Sequence, residues 1–172
     1  MSTVPTPVAA SPLILRLRSA DETADLARRI APRLGRGDIL LLEGPIGAGK
    51  SHFARALIQF WLAAEGRHED VPSPSFTLVQ VYELRDCEIW HADLYRLQGA
   101  AQVFETGLNE AFDTAICLVE WPDRLGADRP DRALTISFAP GAADDERAVA
   151  IAAADQRWAA LLAGLAGMAV DD

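Results

Sequence analysis

The sequence predicts an α/β fold, a three-layer sandwich in which helices cover both faces of a central sheet of mixed parallel and antiparallel strands. In the N-terminal part, short apolar runs alternate with amphipathic segments, which is typical of strands joined by helices. Further on, two strand-like segments flank a short turn, which indicates an antiparallel hairpin. The length of 172 residues is about that of one domain. We therefore expect a flexible lead over residues 1–12 and a single domain over residues 13–172.

The N-terminal part contains two predicted strands, each followed by a predicted helix. Their bounds are a strand over Leu13–Leu17, a helix from Ser19 to about Leu34, a strand over Asp38–Glu43 and a helix over Ser51–Ala64. Ser19 and Glu22 have the spacing of a capping box, in which both side chains accept backbone N–H groups at the helix start. The second strand is a short apolar run, as expected of a strand that is covered on both faces.

The rest of the chain is predicted to contain a hairpin, short helical turns, three further strands and a last helix. The bounds are strands over Phe76–Leu84 and Glu88–Tyr95, helical turns over Gly99–Ala111, and strands over Ala115–Glu120, Leu134–Phe138 and Ala148–Ala152. Asp155 is a candidate N-cap for the last helix. We expect the strand over Ala115–Glu120 to be buried, because its first five residues are apolar.

The composition argues against several classes of protein. The net charge is −9 and no run of lysine and arginine occurs, so we expect no strong direct binding to nucleic acid. No apolar run approaches the roughly 18 residues of a membrane helix, and the N-terminal segment lacks the features of a signal peptide. Cys87 and Cys117 lack metal-ligand spacing. We expect a reduced protein in the cytoplasm, without membrane contact.

The strongest motif is GPIGAGKS, which follows the second predicted strand and precedes the second predicted helix. It fits the phosphate-loop pattern G-x-x-x-x-G-K-[ST] at every fixed position. Glycines let backbone N–H groups converge on phosphate oxygens, and the helix N-terminus adds a positive dipole end. The motif therefore predicts a P-loop NTPase-like fold that binds the phosphates of a nucleotide together with Mg²⁺. The residues expected to bind the nucleotide here are Gly44, Pro45, Ile46, Gly47, Ala48, Gly49, Lys50 and Ser51.

Lys50 and Ser51 have separate roles in this prediction. Lys50 is the only lysine among sixteen lysine and arginine residues, which suggests a position where a compact ammonium fits and a planar guanidinium does not. Its ammonium group would reach the β- and γ-phosphates, and the Ser51 hydroxyl would ligate Mg²⁺.

Two acidic residues are candidates for the metal site beside the loop. Glu120 ends a buried strand, and it would emerge beside the phosphates if Ala115–Val119 runs parallel to Ile39–Leu42. Asp93 follows a more polar run, and a turn residue or an N-cap is a serious alternative for it. Ser75, in the hydroxyl-rich segment VPSPSFT, lies where switch segments sense a γ-phosphate in nucleotide hydrolases. A simple Pro-Ser-rich linker is an equally good interpretation of that segment.

Together, these motifs resemble the bacterial TsaE (formerly YjeE) family. The chain contains GPIGAGKS, PSPSFTLVQVYE, HADLYRL, GLNEAF and CLVEWPDRL in the order and approximate spacing of that family. The resemblance covers roughly residues 13–151. It implies a cytoplasmic P-loop ATPase that is needed to form N6-threonylcarbamoyladenosine in tRNA and that acts with the TsaD and TsaB proteins.

The resemblance also implies roles for individual residues. Lys50 and the segment Gly44–Gly49 would bind the phosphates of ATP or ADP. Ser51 and Glu120 would hold Mg²⁺, and Asp93 would complete the acidic site. The resemblance further implies that Ser75 belongs to a switch-like loop and that Trp121 lies beside the nucleotide or a partner surface. Serine stands at positions 51 and 75 where the family more often has threonine, and both residues keep the hydroxyl.

Three other functions remain open at the level of the sequence. A small-molecule or nucleoside kinase would share the P-loop, with Asp93 as the base. Such kinases usually carry an arginine-rich lid over the phosphates. We interpret the stretch with Arg124, Arg129 and Arg132 as a surface loop and not as such a lid. A GTPase is disfavoured, because its Asn-Lys-x-Asp motif needs a second lysine. The third possibility is a nucleotide-sensing adaptor without turnover.

Overall fold

The computed structural model describes residues 11–170, so the first ten residues of the predicted lead and the last two residues lie outside the described part. The described part contains one sheet with seven strands: β1 (Leu13–Leu17), β2 (Ile39–Glu43), β3 (Val79–Glu83), β4 (Glu88–Asp93), β5 (Ile116–Glu120), β6 (Leu134–Pro140) and β7 (Arg147–Ala152). Its α-helices are α1 (Ala20–Ile30), α2 (Lys50–Ala64), α3 (Ala100–Glu105), α4 (Leu108–Ala111) and α5 (Ala159–Ala166). Between residues 11 and 170, every helix is too short or too polar to cross a membrane.

The sheet has the strand order β1-β7-β6-β2-β5-β4-β3. Strands β6, β2, β5 and β4 run parallel to one another, whereas β3 and the pair β7 and β1 are antiparallel to their neighbours. The predicted mixed sheet is therefore confirmed, and β2 and β5 run parallel, which is the condition on which the expected position of Glu120 depends. Since parallel strands end at the same edge, the C-terminal ends of β2, β5 and β4 lie side by side.

Alternate residues of β2 point to opposite faces of the sheet, which creates the three layers. Leu40 and Leu42 belong to one hydrophobic cluster together with apolar residues of α1 and α2. Ile39 and Leu41 belong to a second cluster with apolar residues of α3 and α4. All four side chains are buried, so β2 is apolar in both directions because it is covered on both faces.

The predicted start of α1 is confirmed, and its end differs slightly. The Glu22 backbone N–H donates to Ser19 Oγ at 3.2 Å, and the Arg18 backbone N–H donates to Glu22 Oε2 at 2.6 Å. The α-helix ends at Ile30 and continues as a 3₁₀ helix over Ala31–Arg33. The tighter turn includes Pro32, which has no N–H for the α-helical hydrogen bond.

The predicted hairpin is confirmed, although both of its strands are shorter than predicted. Strand β3 begins at Val79 instead of Phe76, because the Leu78 N–H donates to the Pro74 carbonyl at 2.8 Å and closes a turn. Leu78 has the left-handed φ of +67°, which an extended strand does not allow. Strand β4 ends at Asp93, whose carboxylate accepts the backbone N–H of Tyr95 and so turns the chain.

The sequence predicts a surface loop after Trp121, whereas the structure has two short 3₁₀ turns over Pro122–Asp128, separated by a kink at Gly126, whose φ of 54° and ψ of −127° are not helical. The proline at the first position of this segment fits a helix start. Leu125 is fully buried and attaches this segment to the second hydrophobic cluster. The loop prediction was wrong because a single buried leucine between polar residues gives no periodic signal.

The C-terminal segment packs tightly against the domain. Asp155 accepts the Arg157 backbone N–H at 2.8 Å, which confirms it as an N-cap, although of a 3₁₀ turn that precedes α5. Trp158 is fully buried and its indole N–H donates to the Arg132 carbonyl at 2.7 Å. Arg157 forms an ion pair with Asp38, just before β2.

Candidate functional site

The loop Gly44–Gly49 connects the C-terminal end of β2 to the start of α2. Gly44 has a φ of +139°, and a Cβ atom there would lie 2.5 Å from the Phe138 carbonyl oxygen, so only glycine fits. Gly49 adopts the left-handed conformation immediately before Lys50. The first N–H groups of α2 therefore open toward the loop, where glycine has no side chain to cap them. This arrangement attracts anions at the helix start.

Lys50 is buried at the base of this loop. Its Nζ donates to the Gly44 carbonyl at 2.6 Å and lies 3.6 Å from the centroid of the Trp121 ring. Burial lowers the pKa of Lys50 below its ordinary value, and the carboxylates of Glu120 and Asp93 act in the opposite direction. Burial thus disfavours the charged form of the only lysine of the chain, and the two carboxylates and the Trp121 ring offset part of that effect.

Ser51 and Glu120 contact each other across the sheet edge. The Ser51 Oγ donates to Glu120 Oε1 at 3.0 Å and lies 3.2 Å from Oε2. Glu120 ends β5 and pairs in register with Leu42 of β2 on one side and Asp93 of β4 on the other. The parallel register therefore places the hydroxyl and two carboxylates at one end of the sheet, as the sequence pattern predicts for Glu120.

Asp93 acts as a turn residue and also lies at the same end of the sheet as Glu120. Its Oδ1 accepts the Tyr95 N–H at 3.0 Å, and its Oδ2 accepts from Ser75 Oγ at 3.3 Å. Ser73 Oγ lies 2.8 Å from Ser75 Oγ. Asp93 can therefore be a turn residue and also face the site beside Glu120, so the two interpretations of its role are compatible. The hydroxyl-rich loop contacts Asp93 directly through Ser75.

Trp121 follows Glu120 with a left-handed φ of +58°, which is rare for a bulky residue. Its ring lies 4.8 Å from the ring of Tyr95, between centroids, and covers the ammonium of Lys50. Backbone strain of this kind costs about 1–3 kcal/mol and is concentrated at functional sites. Here it places an aromatic ring against the phosphate loop.

Most of the predicted site residues line a single cavity of about 570 Å³, a size typical of ligand sites. From the predicted set, its walls include Ile46, Gly47, Gly49, Lys50, Ser51, Ser75, Asp93, Glu120 and Trp121. Gly44 contacts the site through the hydrogen bond that its carbonyl accepts from Lys50. Pro45 and Ala48 belong to the loop backbone, where the Ala48 N–H donates to the Pro45 carbonyl at 3.2 Å.

Two residues that contact this site, His91 and Arg147, have no role predicted from the sequence. His91 is buried, and its Nε2 lies 2.8 Å from Glu120 Oε2. Its position two residues before Asp93 on the same strand is a signal that could have found it. Arg147 donates to the carbonyls of Gly47 and Ala48 from β7, at 3.2 and 3.1 Å. About 100 residues separate it from the loop, so no local pattern predicts this contact.

The donor set at the cavity fits Mg²⁺, which prefers oxygen ligands and keeps several waters. Ser51 supplies a hydroxyl, and Glu120 and Asp93 supply carboxylates that are only 2% and 8% exposed. Buried carboxylates are costly without a nearby cation. Within residues 11–170, no three His, Cys, Asp or Glu side chains gather into a metal site. A nucleotide-bound Mg²⁺ needs few protein ligands, so this set suffices.

The three arginines that were considered as a possible kinase lid interact with carboxylates outside the cavity. Arg129 forms an ion pair with Glu43 at 2.7 Å, and Arg132 forms one with Asp113 at 3.1 Å. Arg124 lies 3.5 Å from the neighbouring Asp123. The three arginine side chains therefore pair with carboxylates around the segment Pro122–Asp128 and do not line the cavity.

The chain is similar over most of its length to a known protein family and to several of its members. A family model described as "Threonylcarbamoyl adenosine biosynthesis protein TsaE" matches residues 17–149. A protein from Treponema pallidum is 33% identical over 136 residues, which cover 78% of this chain and 96% of that protein. A protein from Bacillus subtilis is 32% identical over 144 residues, covering 83% and 87%. Both are named tRNA threonylcarbamoyladenosine biosynthesis protein TsaE.

Two further comparisons agree with these matches. A protein of the same name from Rickettsia conorii is 38% identical over 107 residues, so the matched part spans 62% of this chain and 59% of that protein. The crystal structure of Bacillus subtilis YdiB has a TM-score of 0.72 and 29% identity, and the match covers 91% of this chain and 94% of that one. On the family match and these relatives, the chain belongs to the TsaE family.

Proposed function

We propose that this chain is a Mg²⁺-dependent ATPase that supports the TsaD–TsaB assembly in forming N6-threonylcarbamoyladenosine beside the anticodon of tRNA. Family membership and the names of its relatives support the pathway. The resemblance of its motifs to the family supports the ATPase activity and the two partners.

The single observation that carries the ATPase proposal is the contact between Ser51 and Glu120 beside the phosphate loop, with Asp93 in register next to it. The serine that follows a P-loop lysine and an acidic residue at a neighbouring strand end are the groups that hold Mg²⁺ in P-loop nucleotide hydrolases. Here, residues 69 positions apart bring those two groups to hydrogen-bond distance.

In this proposal each residue has a distinct task. Lys50 and the N–H groups of the loop bind the β- and γ-phosphates. Ser51, Glu120 and Asp93 would hold Mg²⁺, whose charge would offset the negative charge that develops on the phosphates. His91 fixes the orientation of Glu120 through its hydrogen bond. Ser75 connects the hydroxyl-rich loop to Asp93, so a change at the metal site reaches that loop.

The surface around the cavity suits a protein partner. Phe76 and Tyr95 follow the hydroxyl-rich loop and β4, and their side chains are 81% and 47% exposed. Exposed aromatic side chains are enriched at protein interfaces. The net charge of −9 also favours protein contacts over direct contact with tRNA.

The test measures release of inorganic phosphate from ATP by the chain alone and with TsaD–TsaB added. We expect slow Mg²⁺-dependent hydrolysis alone and strong stimulation by the two proteins. Lys50→Ala is expected to abolish nucleotide binding and hydrolysis in both settings, because the ammonium in the loop is lost. Free phosphate without an acceptor distinguishes the ATPase from a kinase.

Three outcomes would contradict the proposal. Hydrolysis that survives Lys50→Ala would mean that the assigned cavity is not the active site. A rate that is indifferent to TsaD–TsaB would indicate an enzyme that works independently, and tight ATP binding without turnover in their presence would indicate a nucleotide-sensing adaptor.

A further inference from the structure

Arg96 differs from the other arginines that line the cavity. Arg55 donates to the Val71 carbonyl at 3.0 Å, and Arg147 donates to the loop carbonyls, so both guanidinium groups are committed to the protein. Arg96 lines the same cavity, yet it forms no hydrogen bond or ion pair with any residue between 11 and 170. Its one described contact is with the ring of Phe76, at 4.5 Å from the guanidinium carbon to the ring centroid.

The backbone that carries Arg96 is firmly held. Leu94 is fully buried, and its N–H donates to the Glu120 carbonyl at 3.1 Å. The Leu97 N–H donates back to the Leu94 carbonyl at 3.0 Å, which closes a turn around Arg96. The start of the side chain is therefore fixed three residues after Asp93, at the acidic end of the cavity. Its exposed, long side chain keeps its freedom to move.

The contact with Phe76 is a weak resting position. A cation over an exposed ring is held less strongly than a guanidinium that donates two hydrogen bonds to a phosphate. Phe76 is 81% exposed and directly follows Ser75, whose hydroxyl contacts Asp93. A phosphate beside Asp93 and Glu120 would therefore compete successfully for the Arg96 guanidinium.

We propose that Arg96 is a catalytic arginine supplied by the chain itself, which binds the phosphoryl group while it is transferred from ATP to water. This inference rests on the proposed ATPase function and adds Arg96 to the residues that bind the phosphates. The planar guanidinium suits the charge that spreads over the oxygens of the transferred group. Because that charge is largest in the transition state, Arg96 lowers the barrier more than it strengthens binding of ATP or ADP.

The experiment compares Arg96→Ala and Arg96→Lys with Arg29→Ala, which removes the same charge from an exposed arginine of α1 outside the cavity. Each is measured for kcat and KM of ATP hydrolysis, with and without TsaD–TsaB, and for affinity toward ADP alone and ADP with aluminium fluoride and Mg²⁺. For Arg96→Ala we expect kcat to fall about 1,000-fold or more, as for arginines of this kind in other nucleotide hydrolases. Affinity for ADP stays within about threefold, and affinity for the aluminium fluoride complex falls in parallel with kcat.

Arg96→Lys keeps the positive charge but lacks the planar guanidinium that can donate two hydrogen bonds to one phosphate. It is therefore expected to recover only part of the rate. It also serves as the folding control, since an exposed Arg-to-Lys change leaves the packing intact. Three results would overturn the inference: an unchanged kcat in Arg96→Ala, an equal loss of ADP affinity, or a loss confined to the stimulation by TsaD–TsaB. An inactive wild-type chain would overturn the proposed function itself and this inference with it.

Discussion

Glu120 is the residue through which most of the site is connected. It accepts from Ser51, lies 2.8 Å from the His91 imidazole and pairs in register with Asp93, while only 2% of it is exposed. Its backbone carbonyl also accepts the N–H of Leu94, which precedes Arg96 by two residues. Its side chain therefore contacts two residues at the proposed metal site, and its backbone anchors the segment that carries the proposed catalytic arginine.

We expect Glu120→Gln to damage Mg²⁺-dependent hydrolysis while leaving the fold intact, because glutamine keeps the shape but not the charge. The rate should fall at least about tenfold, since a metal ion contributes several kcal/mol of charge stabilisation. The Mg²⁺ concentration for half-maximal activity should rise, and ADP affinity without Mg²⁺ should stay the same. Titration of hydrolysis with Mg²⁺ provides the measurement.

Asp93→Asn is the matched comparison for this prediction, since it removes the other carboxylate by an equally small change. If Glu120→Gln leaves both the rate and the Mg²⁺ requirement unchanged while Asp93→Asn raises that requirement, the direct metal role belongs to Asp93. Equal effects of both changes would mean that the two carboxylates share the ion.

At the scale of elements, the C-terminal segment connects two distant parts of the domain. Trp158 contributes to the hydrophobic cluster beneath α1 and α2, and its indole donates to the carbonyl of Arg132, just before β6. Arg157 forms an ion pair with Asp38 before β2 and lies over the Trp158 ring. The segment thus supports the strand that leads into the phosphate loop.

Trp158→Ala is expected to lower the free energy of unfolding by about 3–5 kcal/mol, because it opens a large cavity. Trp158→Phe fills most of that space but leaves the Arg132 carbonyl without its donor, so a loss of about 1–3 kcal/mol is expected. Phe104→Ala, at a side chain that is 66% exposed, should stay within about 0.5 kcal/mol. Urea denaturation measures all three, and equal effects of the alanine changes would show that α5 is not part of the cooperative fold.

The sequence was sufficient to predict the order of strands along the chain, the phosphate loop and the acid at the end of β5, since these depend on local apolar runs and a spaced motif. It misplaced the start of β3, because Phe76-Thr77-Leu78 are good strand formers that a hydrogen bond from Leu78 to Pro74 closes into a turn. It also missed Arg147, whose contact with the loop depends on the placement of β7 in the sheet. Contacts between residues far apart in the chain depend on how the strands are arranged in the sheet, so local composition and periodicity do not predict them.

At the scale of the whole molecule, the cavity differs from the rest of an acidic protein in having slightly more basic than acidic side chains. Lys50, Arg55, Arg96 and Arg147 line the cavity together with three acidic residues, while the chain carries a net charge of −9. A cleft with local cations attracts a small anion such as a nucleotide even when the surface around it is negative. A long polyanion such as tRNA contacts a much larger area and is repelled by that surface.

We therefore expect the isolated chain to bind tRNA with a Kd weaker than about 10⁻⁴ M at physiological salt, at or beyond the weak limit of non-specific binding. Addition of TsaD–TsaB should bring the chain and tRNA into one complex, because the contacts to tRNA then come from the partners. Fluorescence anisotropy of labelled tRNA, with a salt titration, measures both. Binding by the chain alone in the micromolar range that weakens steeply with salt would contradict the prediction, since it would require a basic surface that steers tRNA directly. If the chain and tRNA instead compete for TsaD–TsaB, the chain binds the assembly at the surface where tRNA binds.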